Sequence, residues 1–229
     1  MWQDFIQQAN RFGEAKTPFF FLIDFEQQKP ILCPLNEMAE QGIFVQFPDY
    51  TNVNWLEDLP HKTSPMPPFY LHKQPMNFAD YQKGFALVQQ EQHFGNSYLL
   101  NLTYPTPIET HYSLRQLFQQ SQAKYKLVFK DQFVCFSPEC FVNLYDNQIF
   151  TYPMKGTIDA TLPHAQATLL NNQKEQREHY TIVDLMRNDL ATVAENIQVT
   201  RFRYVEEIQT EHGAILQTSS EIRGELAEN

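Results

Sequence analysis

The sequence is short of cysteine, of positive charge and of long apolar runs, and each shortage excludes a class of protein. Its three cysteines, Cys33, Cys135 and Cys140, are an odd and sparse set without metal-ligand spacing, which predicts buried free thiols in a reducing compartment. A total of 17 Lys and Arg against 27 Asp and Glu gives a net charge of −10, which argues against nucleic acid and anionic membranes as partners. No signal segment opens the chain and no run of about 18 apolar residues occurs, so we expect a soluble cytoplasmic protein.

What the chain does have is an ordinary globular composition. Its 229 residues are 42% hydrophobic and 19% charged, which is enough to bury a core. Strand patterns outnumber helical ones and do not alternate as βαβ units, so we predict an α+β fold of mixed, mainly antiparallel sheets packed with helices, in one domain over residues 1–229. The periodicity predicts helices over 2–12, 78–94, 113–123 and 165–191, strands over 18–25, 31–34, 43–47, 97–104, 125–130, 133–136, 197–205 and 215–226, and an irregular stretch over 48–78.

Residues 138–157 read as a β-hairpin whose register has two alternatives. A two-residue loop, Asp146–Asn147, would pair Asn143 with Phe150 and mix apolar and polar side chains on each face. A three-residue loop that also includes Gln148 makes one face wholly apolar. Because burial of one face fixes register, we predict the three-residue loop.

The predicted register places Glu139 opposite Lys155, with Cβ atoms about 5 Å apart. From the pattern alone, such a pair is most often a solvated ion pair worth at most about 1 kcal/mol. The alternative is a nucleophilic or acid–base lysine beside a carboxylic acid. A lysine becomes nucleophilic only when its pKa falls, and a carboxylate alone raises it. The chemical alternative therefore requires a pocket with a further cation.

A second pair of carboxylates, Glu175 and Glu178, lies on one face of the long predicted helix. Ile182 and Leu185 continue the same face into an apolar stripe. As a bare pattern this spacing usually marks a solvated helix face. Because a buried carboxylate needs a partner, a bound metal is the alternative.

Three motifs occur in an order that resembles the chorismate-utilising enzymes. They are Ser137-Pro138-Glu139, the segment from Pro153 to Thr157, and the Asp184–Asp189 block. More narrowly, they resemble component I of aminodeoxychorismate synthase, within the anthranilate synthase component I-like family. The resemblance implies part of that family's two-sheet sandwich. It also implies amination of chorismate at C4, towards para-aminobenzoate and folate, with ammonia from a glutamine amidotransferase subunit.

The resemblance also implies a role for each matching residue. Glu178 is implied as a Mg²⁺ ligand, and oxygen ligands suit this ion. Gln217 stands where the family has a histidine, so it can hydrogen-bond but cannot transfer protons. The implied site consists of the nucleophile Lys155, the general acid Glu139, the substrate-binding Gly156, Thr157 and Gln217, and the metal-binding Glu178 and Glu175.

Several departures from the family keep other functions open. Leu99 stands where isochorismate-forming relatives carry a water-activating lysine, which disfavours that reaction. Anthranilate synthase component I is the nearest rival, although it carries a small residue where Lys155 stands. The family's C-terminal third has no counterpart before Asn229, so we expect a truncated domain, either active or an inactive remnant. The hypothesis that the chain is a general binding module is supported only by the aromatic segment 19–25.

Overall fold

The computed structural model describes residues 2–53, 69–210 and 213–226. These residues form two compact units. The larger contains the described residues up to 53 and from 117 onwards, and the smaller contains residues 69–116. Within the described parts of the chain, no helix is long and apolar enough to cross a membrane.

The larger unit is built from antiparallel sheets, with helices packed on them. Its elements are α1 Trp2–Glu14, β1 Phe19–Leu22, β2 Ile31–Pro34, β3 Ile43–Phe47, β4 Tyr50–Thr51, β7 Tyr125–Phe129, β8 Phe133–Ser137, β9 Asn143–Tyr145, β10 Gln148–Thr151, β11 Met154–Asp159, α4 Ala165–Asn171, α5 Gln173–Leu190, β12 Ala194–Thr210 and β13 Gly213–Leu226. The sheets are the pair β1–β2, a four-stranded sheet in the order β4-β3-β7-β8, and a five-stranded sheet in the order β11-β13-β10-β9 with β12 also paired to β13.

The smaller unit contains one long helix and one short strand pair. The helix α2, Phe78–His93, begins at Asn77, whose side chain accepts a hydrogen bond from the Asp80 N–H. The strand pair joins β5, His72–Lys73, to β6, Ile108–Glu109. The helix α3, Leu114–Gln120, begins at the predicted capping box, since Ser113 and Gln116 exchange side-chain and backbone hydrogen bonds.

Two clusters of buried side chains form the core of the larger unit. One lies between α5 and the five-stranded sheet and contains Val183, Leu190 and Ile222. The other lies around β2 and β3 and contains Cys33 and Ile43. The predicted α+β class is therefore confirmed, because every described strand pair is antiparallel and the helices pack against the sheets.

The predicted register of the hairpin in residues 138–157 was wrong. Asn143 pairs with Phe150, which is the two-residue loop. Asp146 and Asn147 both have positive φ, 48° and 59°, as the type I′ turn of a two-residue hairpin requires. The turn is also tied to β13, because the Leu226 N–H donates to the Asn147 carbonyl over 2.9 Å. The register is therefore set by the turn geometry and by the hydrogen bond between the turn and β13, and not by the burial of one wholly apolar face.

Two further predicted elements differ from the structure. The long helix over 165–191 is broken at Asn172, whose side chain accepts hydrogen bonds from Lys174 and Glu175 N–H groups and starts a new helix, α5. Residues 97–104 form no strand, because no described strand pairs with them. Of the predicted irregular stretch, residues 54–68 lie outside the described residues.

Candidate functional site

Lys155 lies on β11 beside a β-bulge. It pairs with Thr218 of β13, and Thr157 pairs with Gln217, so Gly156 is the extra residue between them. The Thr218 hydroxyl donates a hydrogen bond to the Lys155 carbonyl. Lys155 itself is partly buried, and the described residues place no carboxylate within ion-pair distance of its amine. The bulge and Thr218 thus fix the backbone of Lys155, while its amine has no ion pair with any described carboxylate.

Gly156 brings the bulge against the helices α4 and α5. Its φ is +80°, and a Cβ atom there would lie 3.2 Å from both Glu175 Oε2 and Leu169 Cδ1. Left-handed backbone and close approach both favour glycine at this position. The absent side chain is what lets Glu175 lie directly against the bulge.

Gly156→Ala is expected to lower the free energy of unfolding by about 1–3 kcal/mol, because it adds backbone strain and a steric contact. Gly95→Ala is the matched control, since Gly95 has the same φ of +80° and no atom within 4 Å of an added Cβ. Urea unfolding should show a larger loss for Gly156→Ala than for Gly95→Ala. Equal losses would show that the approach of Glu175 adds nothing.

Glu139 lies near Lys155, although not through the predicted strand pairing. The strand β9 begins only at Asn143, so Glu139 sits in the turn before it and has no ladder partner. Partial burial raises the pKa of the Glu139 carboxyl group, while the Met154 N–H and the Lys155 amine lower it. Glu139 and Lys155 therefore interact through their charges without the predicted ladder, and their predicted Cβ separation of about 5 Å stays a prediction.

A cavity of about 310 Å³ opens beside Glu139. The turn that carries Glu139, the junction of β10 and β11, and the helix α5 enclose it. Its lining includes Pro153, Ile182 and Met186, which keep water partly away from the carboxyl group. This enclosure is the physical source of the raised pKa of Glu139.

His179 is a buried polar residue, close to the Lys155 backbone, that the sequence patterns did not single out. It is fully buried on α5, and its Nε2 lies 2.7 Å from the Ser220 hydroxyl. Its Nδ1 has no partner within hydrogen-bond limits among the described residues. The available signal was its helical spacing, one turn after Glu175 and one turn before the buried Val183. The actual core-facing stripe of α5 runs through His179 and Val183, so the predicted stripe through Leu185, which is exposed, was wrong.

The pKa of His179 is lowered from 6.5 to about 4, chiefly by burial and secondly by Arg203, while the Lys155 backbone opposes the shift. The unfolded chain then binds more protons than the folded chain between these two pH values. The contribution of His179 to the free energy of unfolding is therefore fully present above pH 6.5. As the pH drops towards 4, that free energy falls by roughly 3 kcal/mol.

Urea unfolding at pH 7.5 and at pH 5 should show a loss of about 2 kcal/mol from this group in the parent, and a smaller loss in His179→Gln. In the parent, the NMR signals of the His179 ring should not titrate above about pH 5. A ring that titrates near its ordinary pKa would contradict burial in the neutral form.

Glu175 and Glu178 lie on the first turns of α5 with a lysine between them. Lys174 Nζ is 3.7 Å from Glu175 and 3.4 Å from Glu178. The described residues contain no group of three or more His, Cys, Asp or Glu side chains that could hold a metal. Two carboxylates that already attract a cation nevertheless suit Mg²⁺, which commonly takes one or two protein carboxylates and fills its shell with water and substrate.

Thr157 and Gln217 are paired across β11 and β13. Gln217 lines a second cavity of about 560 Å³, together with Met154 and Glu206. The next residue, Thr218, is buried and contacts the Lys155 carbonyl, and Ser220 contacts His179 of α5. Since side chains alternate along a strand, Gln217 lies on the opposite face of β13 from α5. The structure thus places Glu175 against Gly156, the neighbour of Lys155, and gives Glu139 a charge interaction with Lys155, whereas Gln217 faces the other side of the sheet.

Comparison with known proteins gives one family match and several relatives. The profile of the family described as chorismate binding enzyme matches residues 35–229. An uncharacterized PabA-like protein of Pasteurella multocida is 68% identical over 98% of this chain and 68% of its own length. Aminodeoxychorismate synthase component 1 of Escherichia coli is 29% identical over 75% of this chain. Anthranilate synthase component 1 of Saccharolobus solfataricus is 32% identical over 44% of it.

Among solved structures, similar architecture occurs in a Bacillus anthracis protein described as a 2,3-dihydroxybenzoate-specific isochorismate synthase. Its TM-score is 0.60 at 18% identity, over 98% of this chain and 61% of that one. This likeness concerns the fold alone. The chain spans about two thirds of the length of the Pasteurella relative and of this structure.

Proposed function

Because the chain belongs to the family of chorismate binding enzymes, we propose that it aminates chorismate at C4 and forms 4-amino-4-deoxychorismate. What supports this proposal is the Glu139 carboxyl group, which is partly buried beside a cavity and close enough to Lys155 to interact with its charge. A primary amine and a carboxyl group that burial makes a weaker acid suit covalent replacement of a hydroxyl group. The distant similarity to aminodeoxychorismate synthase component 1 supports the same reaction.

In the proposed reaction, Lys155 acts as the nucleophile. Its neutral amine forms a bond to C2 of the ring, the two conjugated ring double bonds shift, and the C4 hydroxyl leaves as water with a proton from Glu139. Ammonia then bonds to C4 and returns one proton to Glu139, while the double bonds shift back and the bond between C2 and Lys155 breaks, which releases the neutral amine. One water leaves for each ammonia that enters, so no oxidant is needed.

We assign the metal to Glu178, with Glu175 in support, in this proposal. Bound Mg²⁺ would supply positive charge for a substrate carboxylate in a chain whose net charge is −10. The close approach of Glu175 to Gly156 supports this assignment, because it puts the Glu175 carboxylate beside the bulge that carries Lys155. Thr157 and Gln217 remain proposed substrate contacts, although Gln217 faces the other cavity.

Ammonia would come from a glutamine amidotransferase subunit. Free ammonium can replace such a partner in a test, because ammonia itself is the species that attacks C4. The partner is therefore needed for the source of nitrogen and not for the chemistry on the ring.

The test is identification of products by mass spectrometry, after the purified protein has been incubated with chorismate, ammonium and Mg²⁺. Aminodeoxychorismate is the expected product. Anthranilate would replace the proposal with the rival amination at C2, and isochorismate would contradict the reading of Leu99. Unchanged chorismate, with protein shown to be folded by circular dichroism, would contradict catalysis by this chain.

A further inference from the structure

We propose that the ammonium group of Lys174 is an intramolecular counter-ion for Glu175 and Glu178. It neutralises the two carboxylates in the metal-free protein and moves away from them when a divalent cation binds. This inference rests on the proposed function, because it concerns the magnesium site assigned there. It adds a competitor within the chain for the two carboxylates. Nothing in the catalytic chemistry of Lys155 requires it.

The geometry of α5 places the ammonium of Lys174 against both carboxylates. Its Nζ lies 3.4 Å from Glu178 Oε1 and 3.7 Å from Glu175 Oε1, so one charge serves two partners. Glu178 is one helical turn further along, and Glu175 is the next residue. Both glutamate side chains are mostly buried, with 21% exposed for Glu175 and 30% for Glu178.

The charges of Glu175 and Glu178 explain why the metal-free protein needs a positive side chain beside them. Two carboxylates three residues apart on one helix face repel each other, and partial burial strengthens that repulsion. Lys174 offsets it, because its ammonium lies within 4 Å of both carboxylates. Without this lysine, neither carboxylate would have an ion-pair partner among the residues that the structure describes.

Lys174 can also leave at little cost. Its own side chain is 75% exposed, in contrast to the two glutamates it contacts. A long, flexible lysine at the surface contributes little to an ion pair and can turn out into water. A divalent cation that enters between the carboxylates repels the ammonium, and the side chain has free solvent to move into.

Three consequences separate this role from that of an ordinary surface ion pair. Lys174→Met should bind Mg²⁺ about threefold to tenfold more tightly than the parent, because no competing charge remains. The same variant should be less stable than the parent without metal, and should regain that stability at saturating Mg²⁺. Lys174→Arg keeps the positive charge and should bind Mg²⁺ within about twofold of the parent.

The experiment is a titration of each full-chain variant with MgCl₂ alone, without chorismate, followed by calorimetry and by thermal unfolding. Mn²⁺, detected by electron paramagnetic resonance and displaced by Mg²⁺, gives a second measure of affinity. The matched control is Lys83→Met, which removes another exposed lysine, 2.7 Å from Asp80 on a different helix. It should leave the affinity for Mg²⁺ unchanged. Glu178→Gln should weaken binding, which assigns the titrated site to these carboxylates.

The expected result is that Lys174→Met alone binds Mg²⁺ more tightly than the parent. This variant should also be less stable than the parent without metal and equally stable at saturating Mg²⁺. Equal or weaker binding by Lys174→Met would overturn the role of Lys174, and so would binding that Glu178→Gln does not affect. Absence of Mg²⁺ binding in both parent and Lys174→Met would overturn it as well. The product assay is scored separately, so Lys155-dependent amination would show that the proposed function stands when this inference fails.

Discussion

Lys155→Ala is expected to lower the rate of aminodeoxychorismate formation by about 10⁴-fold or more, because loss of a covalent nucleophile removes the whole reaction path. Lys155→Arg should be as inactive, since guanidinium retains the charge but does not deprotonate to a nucleophile. The measurement is the initial rate at saturating chorismate and ammonium, with product identified by mass.

The fold should survive these two substitutions. The backbone of Lys155 is held by Thr218 and the bulge, and its side chain has no ion pair within the described parts of the chain. Lys73→Ala, at an exposed lysine of β5, is the control and should keep the parental rate. Turnover by Lys155→Ala within tenfold of the parent would exclude lysine as the nucleophile.

Glu139→Gln is expected to lower the same rate by about 10²–10⁴-fold, because the amide cannot give a proton to the departing hydroxyl. The parent should lose activity as the pH rises through the pKa of Glu139, since only the protonated acid donates. Because burial raises that pKa, the loss should occur at higher pH than for a freely exposed glutamate.

The pH–rate profile of Glu139→Gln should lack this descending limb. Glu109→Gln, at an exposed glutamate of β6, should keep both the rate and the profile. If Glu139→Gln kept the descending limb of the parent, the limb would belong to the titration of another group. If it kept the parental rate, Glu139 would have no part in the mechanism.

Much of the fold followed from local patterns. The helices α1 and α2 and the strands β2 and β3 lie where periodicity predicts them, because each has an amphipathic or apolar pattern with clear stop signals. The segment 97–104 has the composition of a strand but pairs with no described strand. Composition states what a segment can form, whereas a ladder also needs a partner that the local sequence does not identify.

The strand register at the candidate site was not predictable from local sequence. The motif order led to the prediction that Glu139 and Lys155 act together, and the register proposed to explain their pairing was wrong. The turn at Asp146 and Asn147 is held by Leu226, far along the chain, and a local pattern does not contain that contact. His179 was missed for a similar reason, because its partner Ser220 lies on a strand 41 residues away.

The central claim is that Lys155 bonds to the ring, and the most direct measurement is mapping of the trapped intermediate. Protein mixed with chorismate and Mg²⁺, without ammonium, would be acid-quenched, digested and examined by mass spectrometry. The account predicts that the peptide carrying Lys155 gains the mass of chorismate less one water, and that Glu139→Gln accumulates less of it. An unmodified Lys155 in protein that turns over when ammonium is present, or an adduct on a different residue, would contradict the account.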